Sequence, residues 1–448
     1  MVAALFVALL AAGLTVSLPP SLASLPLALA GGAALLALLL ASPKARVLWV
    51  VIGGVATLQS SQQLDLSKLA YLAGVAVSAG IAIVAVAKSR DRAAINVLSP
   101  VFKLSLLVVV AILLSSALAL TRGTPPTAVL RDIAPFLLFA LAPLFAFEAN
   151  AAFSRGQLEA LLVLLGLLGS ASFAVEWLNR RGFLVVGIDR LALPSGLLAA
   201  ALLGYAVSAV VHGERHRRLW ELAGAIAITS ILVTGTRSGL IILVAPLVVV
   251  AVSRRSPSAK TAQLATVAIR YVVAIALIGL AFSTFGGLNL SGPIDRLMTI
   301  SDSFGGSEQA SQSFRQRQAQ TEQAWLRFAD APVFGGGPGD IFNWTTEFGP
   351  KAAVNIDSPL SVPAKFGVVG TVALGASLLG YIRLARRART QPARATPAAA
   401  FLAYLVVILV TSLILSPLED KGGSFALLLL LALCLPPSQQ SSNVGALR

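Results

Sequence analysis

The stretch LSLLVVVAILLSSALAL, residues 104–120, has no charged side chain and lies between Lys103 and Arg122. Similar apolar blocks recur along the chain, and each is about long enough to cross the ~30 Å hydrocarbon core as a helix. The blocks are continuous rather than alternating in polarity, which excludes a β-barrel. Because lipid offers the backbone no hydrogen-bond partners, the blocks are predicted to be transmembrane helices.

The composition agrees with a membrane protein. Of the 448 residues, 57% are hydrophobic and only 12% are charged, which is about half the charged share of a soluble domain. The net charge of +15 would suggest nucleic acid as the partner of a soluble chain. Here most basic residues lie in short loops between apolar blocks, where they set the orientation in the membrane. The composition therefore predicts the lipid bilayer, and no nucleic acid, as a partner.

Cysteine and histidine usage argues against a metal or redox site. Cys434 is the only cysteine and lies in an apolar block, so the chain cannot form an internal disulfide or a thiolate metal cluster. His212 and His216 share one short basic loop and are predicted to be surface residues. No Asp-rich or His-rich motif is present, so the sequence predicts no metal and no cofactor.

The predicted fold class is all-α, a polytopic transmembrane helical bundle of about 12–14 spans with one large extracytoplasmic loop containing helices. The spans are placed at about 2–17, 24–41, 46–58, 68–87, 103–120, 132–148, 157–177, 191–211, 219–234, 239–253, 264–283, 359–384, 399–416 and 424–436. The first block lacks the basic start of a signal peptide and is interpreted as a retained span. Two early spans are short enough to be re-entrant or to merge.

The distribution of lysine and arginine among short loops predicts that both termini are cytoplasmic. Four segments follow from this topology. They are transmembrane helices with short loops in 1–283, a large periplasmic or extracytoplasmic loop in 284–358, C-terminal transmembrane helices in 359–436 and a disordered cytoplasmic tail in 437–448.

The large loop is predicted to contain a helix over residues 311–330, with Ser311 as its N-cap. Five residues recur at helical spacing on one face: Phe314, Gln318, Thr321, Trp325 and Phe328. The aromatic side chains among them are expected to pack the helix on the membrane domain or at the lipid interface. The glycine-rich run 335–339 follows and predicts a tight backbone path, but it lacks the Gly-Lys-Ser/Thr of a P-loop.

Arginines at the outer ends of spans are candidates for anion binding, because charges near hydrocarbon are costly and tend to mark function. Arg237 lies in the tight turn 234–239 between two spans, and its alternative role is to snorkel toward lipid phosphates. Arg190 begins another span, and the alternative for it is a structural ion pair with Asp189. A guanidinium donates two parallel hydrogen bonds to a phosphate and stays charged.

Arg315 is the third candidate and lies on the predicted loop helix. Glu322 follows two turns later on the same face, where its carboxylate would orient the guanidinium of Arg315. A solvated helix face is the alternative interpretation of this pair. Arg180 and Arg181, in the loop before Arg190, are possible supporting cations.

Candidate bases outside the membrane are Asp340, Glu347 and Asp357. Asp357 lies at the junction with the next span, where a partly desolvated carboxylate could accept a proton from a sugar hydroxyl. The alternative is that Asp357 caps the N-terminus of the following helix. Asp340 and Lys365, the latter in the first turns of that span, are possible supporting residues.

These stretches resemble the O-antigen ligase and O-antigen polymerase superfamily of bacterial membrane glycan transferases. Residues 234–239 are similar to the Ser-Arg turn of the family, and residues 315–337 are similar to its Arg…Trp…Pro-x-x-Gly-x-Gly loop. Residues 357–370 are similar to its His-Asn-x-x…Gly-x-x-Gly junction. Arg190 provides a weaker fourth match, so the resemblance spans about residues 187–372.

The resemblance implies a GT-C-like fold in the bacterial inner membrane and an inverting, metal-independent glycan transfer on its outer face. The implied donor is an oligosaccharide on undecaprenyl diphosphate, held by Arg190, Arg237 and Arg315, and the implied acceptor is a hydroxyl of a glycan or glycolipid. Asp357 stands where ligases that load lipid A–core carry a histidine. This departure leaves a polymerase, or a ligase with a different acceptor, with Asp357 as the suspected base.

A transporter or flippase for the same lipid-linked glycan is the alternative function, and a scaffold of an envelope assembly complex is a third hypothesis. In a transporter the arginines would recognise the lipid without chemistry. Transporters more often have internal repeats and charged or broken helices near the bilayer midplane. The sequence predicts neither feature.

Overall fold

The computed structural model describes residues 24–58, 64–180, 196–233, 237–252, 308–346 and 349–437. These residues form the predicted all-α bundle. Its helices are α1 (Ser24–Ala41), α2 (Pro43–Leu48), α3 (Gly54–Leu58), α4 (Leu66–Lys88), α5 (Arg92–Thr121), α6 (Pro126–Ala152), α7 (Arg155–Arg180), α8 (Gly196–His212), α9 (Arg217–Val233), α10 (Arg237–Val252), α11 (Glu308–Asp330), α12 (Ser361–Arg389), α13 (Ala395–Thr411) and α14 (Lys421–Cys434). Short helical turns at Trp49–Gly53, Pro392–Arg394 and Pro417–Glu419 link some of them.

Five of the described helices are long and apolar enough to cross a membrane, or six if one bent pair counts as a single span. They are α4, α5, α6, α12 and the helix Pro392–Thr411, which contains α13. The predicted spans from 24–41 to 239–253 and from 359–384 to 424–436 each overlap a described helix. The predicted spans 2–17 and 264–283 and the polar end of the tail lie outside the described residues.

The bent pair consists of Gly32–Ala41 and Pro43–Leu58, which meet at 118° in a broken span or a re-entrant loop. Ser42 has extended backbone between them, and its hydroxyl accepts a hydrogen bond from the Ala45 N–H at 3.3 Å. Proline is favoured at the first position of a helix and disfavours helical backbone in the residue before it. The Ser42-Pro43 dipeptide therefore ends one helix and begins the next.

A buried ion pair holds this bend against α6. The Arg46 Nε lies 2.9 and 3.0 Å from the two carboxylate oxygens of Glu148, and the Arg46 Nη1 donates to the Leu39 carbonyl at 2.8 Å. Both charged side chains are almost fully enclosed. Removing one partner would leave the other charge buried alone, which is strongly unfavourable.

Residues of the large loop fold against the start of α12. Helix α11 packs on strand β1 (Phe342–Thr346), which pairs with strand β2 (Gly349–Ala353) in an antiparallel hairpin. A small cluster of buried apolar side chains joins these pieces: Ala324, Phe342, Trp344, Ile356 and Ala364. Phe342 and Trp344 are buried while the residues between and after them are exposed, as the period of a strand requires. The hairpin is an addition to the helices that the sequence predicts for this loop.

The predicted details of α11 are partly wrong. The helix begins at Glu308, so Ser311 lies inside it and is not the N-cap. Its buried face carries Gln320 and Ala324, whereas Trp325 is 54% exposed. The hairpin, which lies against Gln320 and Ala324 rather than against the aromatic stripe, is the reason for this difference.

Helix α12 contains a break that the sequence does not predict. Gly367 has φ 62° and ψ −164°, far from helical values. Before the break, the carbonyls of Ala364 and Lys365 accept hydrogen bonds from the N–H groups of Gly336 at 2.8 Å and Gly337 at 3.1 Å. These donors come from the glycine loop, the name used below for residues 332–341.

The glycine loop also supplies the acceptors that the restarted helix needs. After the break, the N–H groups of Val368 and Val369 donate to the carbonyls of Pro332 at 2.8 Å and Val333 at 3.2 Å. Irregular backbone at membrane depth is tolerated only where its polar groups are satisfied inside protein or by water. The break in α12 and the glycine loop are therefore one structural unit.

The segments that connect the helices lie at two ends of the bundle, and side-chain contacts between the segments identify each end. At the glycine-loop end, Arg122 after α5 donates to the Gly336 carbonyl, and Ser361 of α12 donates to Glu419 before α14. At the opposite end, named the basic end, Arg155 contacts Glu214 and the Ala393 carbonyl. The basic end comprises residues 153–160, 212–221 and 390–395. The part of α12 after its break, residues 368–389, extends about 33 Å between the two ends.

Candidate functional site

The structure describes side chains for five of the predicted site residues: Arg315, Glu322, Asp340, Asp357 and Lys365. Arg181 and Arg190 lie outside the described residues. Arg180 ends α7 and Arg237 begins α10, and only their backbone is described. Convergence of Arg190, Arg237 and Arg315 on one ligand therefore stays a prediction.

Glycine is required at two positions where the glycine loop meets the break in α12. A Cβ atom on Gly335, which has φ 76°, would lie 2.4 Å from the carbonyl carbon of Lys365. A Cβ atom on Gly367 would lie 2.3 Å from the carbonyl oxygen of Val333. Both residues have positive φ, which costs L-residues with a side chain about 1–2 kcal/mol before any clash is counted. The close approach of these two backbones is thus specific to glycine.

Arg315 and Glu322 both lie exposed on α11, seven residues apart on the same side of the helix. Arg315 is about 7.5 Å along the helix axis from Gln320, at the helical rise of 1.5 Å per residue. The amide oxygen of Gln320 accepts the backbone N–H of Asp357 at 3.2 Å. Helix α11 therefore contacts the junction that carries the predicted base Asp357 through Gln320, whereas the predicted diphosphate ligand Arg315 lies about 140° around the helix axis from Gln320.

Asp357 is exposed, whereas the sequence interpretation expected a partly desolvated carboxylate. It does not cap α12 either, because the N-cap position is Leu360 and no side chain there accepts a hydrogen bond. Ser358 ties the junction down instead: its hydroxyl bonds to Thr321 of α11 at 3.1 Å and accepts the Leu360 N–H at 3.2 Å. The backbone around Asp357 is held on both sides, while its carboxylate is open to solvent.

Asp340 has a structural partner. Its carboxylate lies 2.6 Å from the Nη1 of Arg327 and accepts the N–H of Ile341 at 2.9 Å. The guanidinium of Arg327 also lies 4.6 Å from the ring centre of Phe342 and donates to the Ile341 carbonyl. Asp340 thus fastens the glycine loop to α11 and the hairpin, which is a supporting role rather than that of a base.

Lys365 is buried at the centre of a charged cluster. Its ammonium lies 2.7 Å from the carboxylate of Asp132, 2.9 Å from that of Glu419 and 3.2 Å from the amide oxygen of Asn355. The exposed fractions of the Lys365, Asp132 and Glu419 side chains are 1%, 1% and 7%. Lys365 therefore joins α12 to α6, to the turn before α14 and to the segment just before Asp357.

The two carboxylates of this cluster are also bound from other directions. The second oxygen of Asp132 accepts the N–H of Gly339 in the glycine loop at 2.7 Å, and Ser361 donates to Glu419 at 2.5 Å. Burial raises the pKa of the Glu419 carboxyl, and the charge of Asp132 adds to the rise, while Lys365 opposes it. The cluster has one more negative than positive charge, and the folded protein must balance it.

Lys421, at the start of α14, adds a positive charge near this cluster. It lies within electrostatic range of Asp132 and Asp420 and of two other basic residues, Lys68 and Arg131, which together with Lys421 are named the rim cations. Its ammonium donates to the Leu58 carbonyl at 3.3 Å, which ties the start of α14 to the end of α3.

Asp132, Glu419 and the rim cations were missed by the sequence interpretation, which considered mainly arginines. A usable signal was present, because Asp132 lies at the start of a predicted span and Glu419 lies between two of them. Ionisable residues at such depths need partners. Among the described residues, no group of three or more His, Cys, Asp or Glu side chains is placed to hold a metal ion.

Comparison with known proteins agrees with this arrangement. Residues 222–374 match the family model described as O-antigen ligase. The matched region includes α10, α11, the glycine loop, the hairpin and the break in α12, whereas Arg190 lies outside it. No curated protein matches the chain. The match covers about a third of the chain and agrees with the resemblance of these stretches to the O-antigen ligase and O-antigen polymerase superfamily.

Proposed function

We propose that this protein transfers an oligosaccharide from a polyprenyl-diphosphate donor to a sugar hydroxyl of an acceptor, at the glycine-loop end of the bundle. This end is assigned to the periplasmic or outer face, because the basic end carries the positive charge expected on the cytoplasmic side. The family match indicates a glycan ligase or polymerase. The donor, the acceptor and the orientation are parts of the proposal.

One observation carries the proposal: the glycine loop and the break in α12 bind each other through four backbone hydrogen bonds. This contact joins two of the three stretches on which the family resemblance rests, residues 315–337 and 357–370. The same part of the fold brings α11 to the junction that carries Asp357, where Gln320 and Thr321 contact it. Catalysis requires reacting groups on rigid elements, and the interlocked backbones supply that rigidity.

The proposed reaction is a single displacement with inversion. The acceptor oxygen bonds to the anomeric carbon while the bond from that carbon to the diphosphate oxygen breaks, and the hydroxyl proton passes to the carboxylate of Asp357. Negative charge then develops on the leaving diphosphate. Arg190, Arg237 and Arg315 are proposed to stabilise that charge, because aligned guanidinium groups are effective where charge develops.

Lys365 takes a different role in this proposal. Its ammonium is enclosed by Asp132, Glu419 and Asn355, so we assign it to positioning the Asp357 junction and not to binding the diphosphate. Arg180 and Arg181 remain candidates for the edge of the donor site, and Glu322 remains a candidate for orienting Arg315.

The test is transfer by the purified protein, given lipid-linked oligosaccharide as donor and no ion gradient, with products separated by size. Arg237→Ala, Arg315→Ala and Asp357→Asn are expected to lower the rate at least about 100-fold, since charge stabilisation and general-base catalysis each contribute at this scale. Matched controls are Asp330→Asn on α11 and Arg386→Ala, an exposed arginine in the last turn of α12, and both are expected to keep the wild-type rate.

The products separate the remaining alternatives. A ladder on the lipid carrier identifies a polymerase, and a single addition to another molecule identifies a ligase. Movement of intact donor across vesicle membranes without any transfer would instead identify the flippase. Wild-type rates in the Arg237→Ala and Arg315→Ala variants would contradict the proposed site.

A further inference from the structure

The basic end of the bundle contains a cavity of about 650 Å³ between α7 and α9. One wall is a stripe on α7 with Gly156, Val163 and Leu167, and the other is a stripe on α9 with Leu219 and Leu222. Residues at such spacings share one helix face. Two apolar stripes thus face each other across the cavity, far from the glycine loop.

Charged side chains close one end of this cavity. Arg155 donates to Glu159 at 2.9 Å, to Glu214 at 2.6 Å and to the Ala393 carbonyl at 2.8 Å. Tyr205 from α8 donates to the same oxygen of Glu159 at 2.5 Å. Both acids that line the cavity are therefore paired with Arg155, and these three side chains together carry one net negative charge.

The remaining charges at this mouth are positive. Arg217 pairs with Glu221 at 3.1 Å. Among the described residues, Arg215 and Arg218 make no ion pair, and both side chains are exposed. Arg215 lines the cavity itself. Four arginines (Arg155, Arg215, Arg217 and Arg218) against three glutamates (Glu159, Glu214 and Glu221) leave the mouth with one net positive charge beside an apolar interior.

An unusual backbone holds this mouth. His216 lines the cavity and has φ 61°, a conformation that costs about 1–2 kcal/mol for a residue with a side chain. Its carbonyl accepts the N–H groups of Leu219 at 2.8 Å and Trp220 at 3.3 Å, so it begins α9. Strained backbone persists where surrounding contacts enforce it and clusters at ligand sites.

We propose that this cavity binds an acidic phospholipid of the membrane leaflet at the basic end. Its phosphate contacts Arg215, and its acyl chain lies along the apolar stripes of α7 and α9. The volume lies within the ~300–1,000 Å³ of small-molecule sites, so the cavity holds the head group and the upper part of one chain. Leu219 and Leu222 are 63% and 57% exposed, which continues an apolar path out of the cavity.

The charge pattern selects this occupant over a zwitterionic lipid. The choline of a zwitterionic lipid would place another positive charge near Arg215 and Arg218, whereas an acidic head group adds no such charge. Basic pockets between transmembrane helices on the cytoplasmic side are typical sites for acidic head groups. The site is separate from the proposed glycan transfer, because the part of α12 after its break separates the two ends by about 33 Å.

The test measures the melting temperature of delipidated protein in neutral detergent as phosphatidylglycerol, phosphatidylcholine or glycerol 3-phosphate is added. A ligand that binds only the folded state raises the melting temperature by an amount that grows with the logarithm of the ratio of its concentration to its Kd. Phosphatidylglycerol is expected to bind at least about fivefold more tightly than phosphatidylcholine, which is the effect of about one basic residue near a membrane surface. Arg215→Gln is expected to remove that preference, and Arg386→Gln, an exposed arginine on α12, is expected to keep it.

A second variant tests the cavity rather than the charge. A Cβ on Gly156 would meet no atom within 4 Å, so Gly156→Trp is expected to fill the cavity and abolish binding without unfolding the helix. Gly80→Trp, where a Cβ also meets nothing, is the matched control and is expected to bind normally. Equal binding of the two lipids by wild type, unchanged binding in Gly156→Trp, or equally tight binding of glycerol 3-phosphate would overturn the proposal.

Discussion

Charged side chains gather at both ends of the bundle, but the two groups are held differently. At the glycine-loop end, Lys365 and Asp132 are 1% exposed and have no room for another partner. At the basic end, Arg155 and Glu214 are 41% and 33% exposed, and they border a cavity. A buried ion pair is costly to break on one side, whereas exposed pairs are worth little. The first group therefore fixes a shape, and the second remains open to a ligand.

The largest expected effect tests this difference in burial. Lys365→Met leaves two carboxylates buried without their cation, so we expect a loss of about 3–5 kcal/mol in the free energy of unfolding. Arg155→Met at the basic end is expected to lose about 1 kcal/mol or less. Thermal unfolding of both purified variants measures the difference between the two losses of stability.

A compensating variant checks the cause of that loss. Adding Asp132→Asn and Glu419→Gln to Lys365→Met removes the uncompensated charges and is expected to restore part of the melting temperature. Equal losses in Lys365→Met and Arg155→Met would show that the two ends do not differ in the way proposed.

A smaller effect is expected for the contact between the glycine loop and the break in α12, and it tests whether this contact shapes the glycine-loop end of the bundle. In Gly367→Ala the new Cβ would lie 2.3 Å from the Val333 carbonyl oxygen, so we expect overpacking to cost about 1–3 kcal/mol. The rate of glycan transfer should also fall in this variant, because the segment that carries Asp357 is expected to shift. The melting temperature and the transfer rate are measured together.

Gly375→Ala is the control on the same helix, since a Cβ there meets no atom within 4 Å. Alanine is favoured over glycine in a helix by about 1 kcal/mol, so this variant should be equally or more stable than wild type. A Gly367→Ala variant with wild-type stability and rate would mean that the break in α12 is dispensable.

The smallest effect concerns pH at the buried cluster. The pKa of Glu419 is raised in the folded protein above its ordinary value of 4.5, so the folded state binds this proton more tightly than the unfolded chain. The resulting stability is fully present below pH 4.5 and is lost as pH rises through the raised pKa. The glutamine side chain of Glu419→Gln stays neutral, so the melting temperature of this variant should rise relative to that of wild type as the pH increases from 4.5 to 7.

The control for this pH series is Gly375→Ala, which changes no titratable group and whose new Cβ meets no atom within 4 Å. The difference in melting temperature between this control and wild type should not grow with pH over the same range. A difference in melting temperature between Glu419→Gln and wild type that stays constant across the pH series would contradict a raised pKa for Glu419.

The candidate site shows how far local patterns reach. Arg315, Asp357 and Lys365 could be singled out from the sequence, because charges beside apolar blocks are conspicuous. The partners of Lys365 could not, since Asp132 is 233 residues away and Glu419 is 54 residues away. The capping role suggested for Asp357 was wrong because Leu360 occupies the N-cap position. The buried face of α11 could not be predicted either, because it contacts a hairpin that was not predicted, whereas the packing of its aromatic side chains at the lipid interface stays a prediction.

The sequence by itself determined that this chain forms apolar helices of membrane-spanning length and where most of them begin and end. Those properties are local, because hydrophobic length and the need to satisfy each backbone group act within one segment. Only the tertiary structure decided that α12 breaks at Gly367 and that the glycine loop completes its hydrogen bonds. It also decided that two distant acids enclose Lys365, because such contacts exist only once the helices pack and exclude water from between them.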